Sequence, residues 1–138
     1  GMPAQRPTLG AAAWEKEIRR VYGALADGAI AMNESEPPQG AVWEEQKRKI
    51  ERSMEAYGYQ DVARFATLLP ELKERILSIG GPVRPDQLGY TVGEAYNAIA
   101  FGKEVRPKFT TLRIAERFGW LYDLADEISS GLAEGKIY

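Results

Sequence analysis

Apolar residues recur along this chain at three- and four-residue intervals, the period of a helix with one buried face. From Ala11 onward Trp14, Ile18, Val21, Tyr22 and Leu25 fall on one side and Glu15, Lys16, Arg19 and Arg20 on the other. The helix is expected to continue through Ala26 to Met32, past Gly28, until Pro37, Pro38 and Gly40 stop it. Trp43, Ile50, Met54 and Tyr57 form the stripe of a second helix, with Glu44–Arg48 and Glu45–Lys49 spaced as i,i+4 ion pairs on its wet side. After Gly58, Asp61 can cap a third helix whose stripe is Val62, Phe65, Leu69, Leu72, Ile76 and Ile79. Pro70 lacks an amide hydrogen and its ring crowds the carbonyl of Ala66, so two short helices or a kink are expected there, ending at Gly80-Gly81.

The stretch Leu88–Leu112 carries sharper local signals. Pro82 to Gly89 reads as a turn with one helical turn starting at Pro85. Thr91 followed by Glu94 has the spacing of a capping box, in which each side chain accepts from the other residue's backbone N–H, so a helix should open there and close near Gly102. Pro107 disfavours helical backbone at Arg106, which makes Lys103–Lys108 a link before a helix starting at Thr110 or Thr111. Phe118-Gly119 closes that helix. Leu121, Leu124, Ala125, Ile128 and Leu132 mark a final one before the tail Glu134–Tyr138. No run of alternating β-branched residues persists and no internal repeat is present. The expected fold is all-α, an irregular bundle of about six or seven helices, with residues 1–10 a flexible leader and 11–138 a single helical domain.

Composition narrows the chemistry. At 138 residues, with 44% hydrophobic and 28% charged, the chain is one domain's worth of globular protein. Its 18 basic and 20 acidic residues nearly cancel, giving a net charge of -2, without the broad basic footprint of a nucleic-acid binder. No apolar run reaches the about 18 residues of a membrane span, and the N-terminus lacks signal-peptide order, so a cytoplasmic location is expected. Gly1-Met2 reads as a tag remnant before an initiator, which suggests a naturally short chain. The sequence has neither Cys nor His. Disulfides, thiolate nucleophiles and the usual transition-metal ligands are therefore excluded, along with the commonest general base.

Leu88, Gly89, Tyr90, then Ala98, then Val105, Arg106, Lys108, Phe109, Thr110 and Leu112 together resemble the C-terminal helical domain of sn-glycerol-1-phosphate dehydrogenases, relatives of the iron-containing alcohol dehydrogenases and dehydroquinate synthases. Upstream the resemblance is weaker, through Asp27–Met32 and the loop Ser35, Pro37, Pro38 and Gly40. Where the family has a Glu-His pair that binds the catalytic metal, this chain has Val42-Trp43, and the second metal histidine has no counterpart. Trp43 therefore reads either as a plug in the metal's place or as an ordinary core tryptophan. The family's nucleotide-binding domain, with its glycine-rich loop, is also missing. The resemblance thus implies a helical domain without hydride-transfer machinery, with no catalytic, cofactor-binding or metal residues. Its expected role is self-association, as a homodimer, or contact with a separate protein partner. Alternatives are the helical subunit of a split dehydrogenase and a remnant that binds a phosphate-bearing small molecule.

Arg106, Lys108, Thr110 and Thr111 are the candidate anion-binding residues, two cations beside a helix start. Arg106 can equally satisfy carbonyls or a carboxylate at the helix junction. Asp123, Asp126 and Glu127 read as a solvated acidic edge rather than a hard-cation site, which needs clustered oxygens on irregular backbone. Asp27, Glu34 and Glu36, the remaining candidate carboxylates, fall in a Pro-rich loop unsuited to paired acid–base work.

Overall fold

The computed structural model describes residues 9–33 and 38–136, the side chains of Tyr57 and Tyr59 excepted. Most of the expected leader, residues 1–8, and the loop acids Glu34 and Glu36 lie outside them. Within the described residues the chain is all-α and has no strand: α1 is Ala11–Tyr22, α2 Ala26–Met32, α3 Gly40–Ser53, α4 Tyr59–Ser78, α5 Val92–Phe101, α6 Thr111–Arg117 and α7 Leu121–Ala133. The contacts cluster into two compact units, one made of Gly1–Glu36 with Arg84–Tyr138 and the other of Pro37–Val83.

In the first unit, Trp14 and Ile18 of α1, Ala26 and Ala29 of α2, Ala100 and Phe101 of α5 and Ala125 of α7 form the buried core. Small residues there allow close approach, and α5 packs along α7. Phe101 sits at the centre, with the Tyr122 ring 6.0 Å away and tilted. Tyr96 meets it edge-on at 6.4 Å, and the Tyr22 hydroxyl donates to its carbonyl at 2.7 Å. The first helix is interrupted where the stripe suggested continuity. Gly23 has φ +53°, a single 3₁₀ turn follows, and Leu25 is left 74% exposed instead of joining the core.

The capping box forms as expected. Glu94 N–H donates to Thr91 Oγ1 at 3.2 Å, and Thr91 N–H donates to Glu94 Oε2 at 2.8 Å. After α5 the chain tightens into a 3₁₀ turn over Gly102–Val105 and becomes extended at Arg106. Thr110 then caps α6, its hydroxyl accepting from Arg113 N–H at 3.3 Å.

The second unit is nearly all one helix. α3 runs into α4 through a π-type turn at Met54–Gly58, with Met54 and Gly58 both helical in φ and ψ. From Gly40 to Ser78 this gives a rod of about 58 Å at 1.5 Å per residue. Pro70 lies inside α4 without ending it, contrary to the expected break. Its neighbours are exposed on every side, so water can satisfy the freed Ala66 carbonyl. The π turn also aligns two stripes. An uninterrupted α-helix would rotate Val62 about 120° from Ile50, and one extra residue absorbed in a wide turn brings it back to about 20°. Trp43 and Ile50 are buried at one end of this face, while Val62, Phe65, Leu69, Leu72 and Ile79 at the other are 45% to 83% exposed. The rod ends as expected at Gly80-Gly81: Gly80 has φ +71°, and the two glycine N–H groups donate to Leu77 and Ile76 carbonyls, both at 2.9 Å.

Candidate functional site

Two features of the structure have the makings of a site: a cleft beside a buried ionic cluster in the first unit, and the open apolar face of α4 in the second.

The cluster grows from the 3₁₀ turn after α5. That turn points Lys103 and Glu104 inward, and both are buried, Glu104 completely. Lys103 Nζ lies 2.6 Å from Glu104 Oε1 and 3.0 Å from Glu116 Oε1. From α6, Arg113 reaches Glu104 Oε2 at 2.9 Å and Glu116 Oε2 at 3.1 Å. The Trp14 indole donates to Glu104 Oε1 at 3.1 Å. Asn33 donates to the Glu104 carbonyl at 2.9 Å and accepts from Arg113 at 3.0 Å. Two cations and two carboxylates balance, as buried charges must. Burial alone would raise the Glu104 carboxyl, but the Lys103 charge and the hydrogen bonds from Lys103, Arg113 and Trp14 outweigh it and hold Glu104 below its ordinary value. Burial lowers Arg113, yet its contacts with Glu104 and Glu116 leave it raised overall. Both stay charged near neutrality. Burial, and then the charges of Glu116 and Glu104, push the Tyr122 phenol far above its usual range, so it stays protonated.

Beside this cluster is a cleft of about 230 Å³ lined by Met32, Asn33, Pro107, Lys108, Phe109, Arg113 and Arg117. Of the four residues singled out in the sequence, Lys108 stands in that lining. Arg106 is exposed outside it, on extended backbone whose carbonyl accepts from Lys108 N–H at 2.7 Å. Thr110 is engaged as the α6 cap, and Thr111 is the exposed first residue of that helix. The cations that line the cleft with Lys108 are Arg113 and Arg117, one helical turn apart on α6, which the sequence reading passed over. Their i,i+4 spacing was the available signal. The cleft has Phe109 and Met32 as apolar walls, so its chemistry suits a small anion with an apolar part.

The remaining candidates fall elsewhere. Asp27 is exposed and paired with Arg19 at 2.7 Å. Asp123, Asp126 and Glu127 are exposed on α7. Trp43 is buried. Among the described residues, no group of three or more acids, histidines or cysteines is placed to hold a metal ion, and no helix is long and apolar enough to cross a membrane.

The face of α4 is different in kind. Phe65, Leu68, Leu69 and Leu72, edged by Glu71 and Arg75, line a shallow apolar depression of about 340 Å³. It offers area and little polarity, which suits another apolar surface rather than a small polar ligand. Compared with family models, curated proteins and solved structures, the chain matches none of them.

Proposed function

We propose that this is a non-catalytic helical domain, related to the C-terminal half of glycerol-1-phosphate dehydrogenases, that acts through contact with another protein chain. The observation that carries the proposal is the α4 face, where Val62, Phe65, Leu69, Leu72 and Ile79 keep helical spacing while 45% to 83% exposed. A regular apolar stripe of this length on a soluble surface marks an interaction site, whereas scattered exposed apolar residues are ordinary. A photo-reactive residue at Val62 should give a covalent protein adduct in the cells that make the chain, and one at Glu74, on the opposite side of α4, should not. No adduct from Val62 would overturn the proposal.

A second reading, binding of a phosphate-bearing small molecule, is favoured by the convergence of Lys108, Arg113 and Arg117 on one cleft. Glycerol phosphate should then raise the melting temperature, and Lys108→Ala should abolish the response. A wild-type chain that does not respond removes this reading.

A further inference from the structure

We infer that α4 pairs with α4 of a second copy of this chain, antiparallel, along the seam from Val62 to Ile79. The inference rests on the protein-contact reading above and names the partner. Val62, Phe65, Leu69, Leu72, Ile76 and Ile79 are separated by three, four, three, four and three residues, the alternation that keeps a seam facing a partner helix. Pro70 directly follows Leu69, about 100° around the helix and off the seam, so its ring does not obstruct the approach.

Area supports a copy as occupant. Val62 is 60% exposed, Phe65 64%, Leu68 42%, Leu69 45%, Leu72 53% and Ile79 83%. At roughly 200 Å² for a large apolar residue, these leave on the order of 600–700 Å² per copy, or about 1,200–1,400 Å² for two, inside the range of stable interfaces.

Charge selects the copy and its direction. The helix Tyr59–Ser78 carries three acids, Asp61, Glu71 and Glu74, and three bases, Arg64, Lys73 and Arg75, so it has no net charge with which to choose an acidic or basic partner. Beside the seam the charges are unevenly spread: Asp61 stands at its first turn, Ala66 and Leu68 flank the stretch that follows, and Lys73 and Arg75 flank its second half, Arg75 paired with Glu71 at 2.6 Å. Parallel pairing would set each Lys73 beside its own copy, with only the Arg75 charges offset by Glu71. Antiparallel pairing lays each basic flank against the neutral Ala66–Leu68 stretch of the other copy and opposes the helix dipoles favourably. The layers are then Val62 on Ile79, Phe65 on Ile76, and Leu69 on Leu72 of the other copy.

The test uses the chain's lack of cysteine. Light scattering at tens of micromolar should give twice the chain mass, and Leu72→Glu should weaken dimerisation on the order of 100-fold or more, since a charge enters each of the two central Leu69–Leu72 layers. Val62→Cys and Ile79→Cys chains, mixed and oxidised, should form the mixed disulfide, while each variant alone cross-links poorly. Efficient cross-linking of each variant with itself would overturn the antiparallel seam. A monomeric wild type overturns the second copy as partner. If its Val62 photo-adduct then carries the mass of a different protein, the broader protein-contact reading survives; if there is no adduct, both fall.

Discussion

Replacing Glu104 by Gln removes one charge from the buried cluster with almost no change of shape. The amide oxygen can still accept from the Trp14 indole, but Lys103 and Arg113 are left facing a single carboxylate, Glu116. Both cations are buried, with side-chain exposures of 0% and 9%, so water cannot make up the deficit. Breaking a buried ionic group by removing one partner costs about 3–5 kcal/mol, a large part of the ~5–15 kcal/mol that holds a domain folded. At roughly 4–8 °C per kcal/mol for a unit of this size, Glu104→Gln should lower the melting temperature by about 12 °C or more. Thermal and urea unfolding followed by circular dichroism would measure it at neutral pH. The same reasoning sets a pH dependence. The folded carboxyl is depressed, so its stabilisation is fully present above the unfolded value of about 4.3 and is lost as pH falls through the lower folded value. Wild type and variant should therefore converge in acid. Adding Lys103→Met to Glu104→Gln restores balance and should recover part of the loss, a coupling that a double-mutant cycle reads directly. A loss of less than about 1 kcal/mol at neutral pH, the range of an exposed pair, or a gap that does not close in acid, would refute the assigned role of Glu104.

Two further changes probe the helices. Thr91→Ala should cost about 1 kcal/mol in urea unfolding, because the first turn of α5 loses the hydroxyl that accepts from Glu94 N–H; Thr91→Ser should restore most of it. Pro70→Ala replaces a residue without an amide hydrogen in the middle of α4, and should raise helical circular dichroism and stabilise the rod by roughly 1–3 kcal/mol. A destabilised Pro70→Ala chain would show that the proline serves a geometry that alanine cannot hold.

Local signals carried their information without the tertiary structure. The Thr91 capping box, the Thr110 start of α6, the Gly80-Gly81 stop and the i,i+4 pair Glu45–Lys49, observed at 2.7 Å, depend on residues within a turn of one another. So does the all-α class, because amphipathic period is a property of neighbours. Signals of the same kind misled at Pro70 and Leu25. A proline's penalty depends on whether solvent can take up the freed carbonyl, and a stripe says where a helix is apolar, not whether its backbone turns first.

Burial was decided only by tertiary structure. Lys103 and Glu104 open the proline-broken basic link, where nothing in the local pattern marks them for burial, yet the 3₁₀ turn after α5 directs them inward. There Arg113 and Glu116 from α6, Trp14 from α1 and Asn33 after α2 complete the cluster. No sequence spacing brings residues 14, 33, 104 and 113 together; their charge balance becomes meaningful only once the chain has folded. The converse holds on α4. Its sequence fixes an apolar face as regular as any in the chain, but whether that face lies in a core or stands open depends on what packs against it, and in this structure it is open. The sequence by itself thus determined the all-α class and those helix ends set by local caps and glycines, such as Thr91, Thr110 and Gly80-Gly81. Folding decided which charges are buried and which apolar face is left for another chain, because both depend on contacts between residues far apart in sequence.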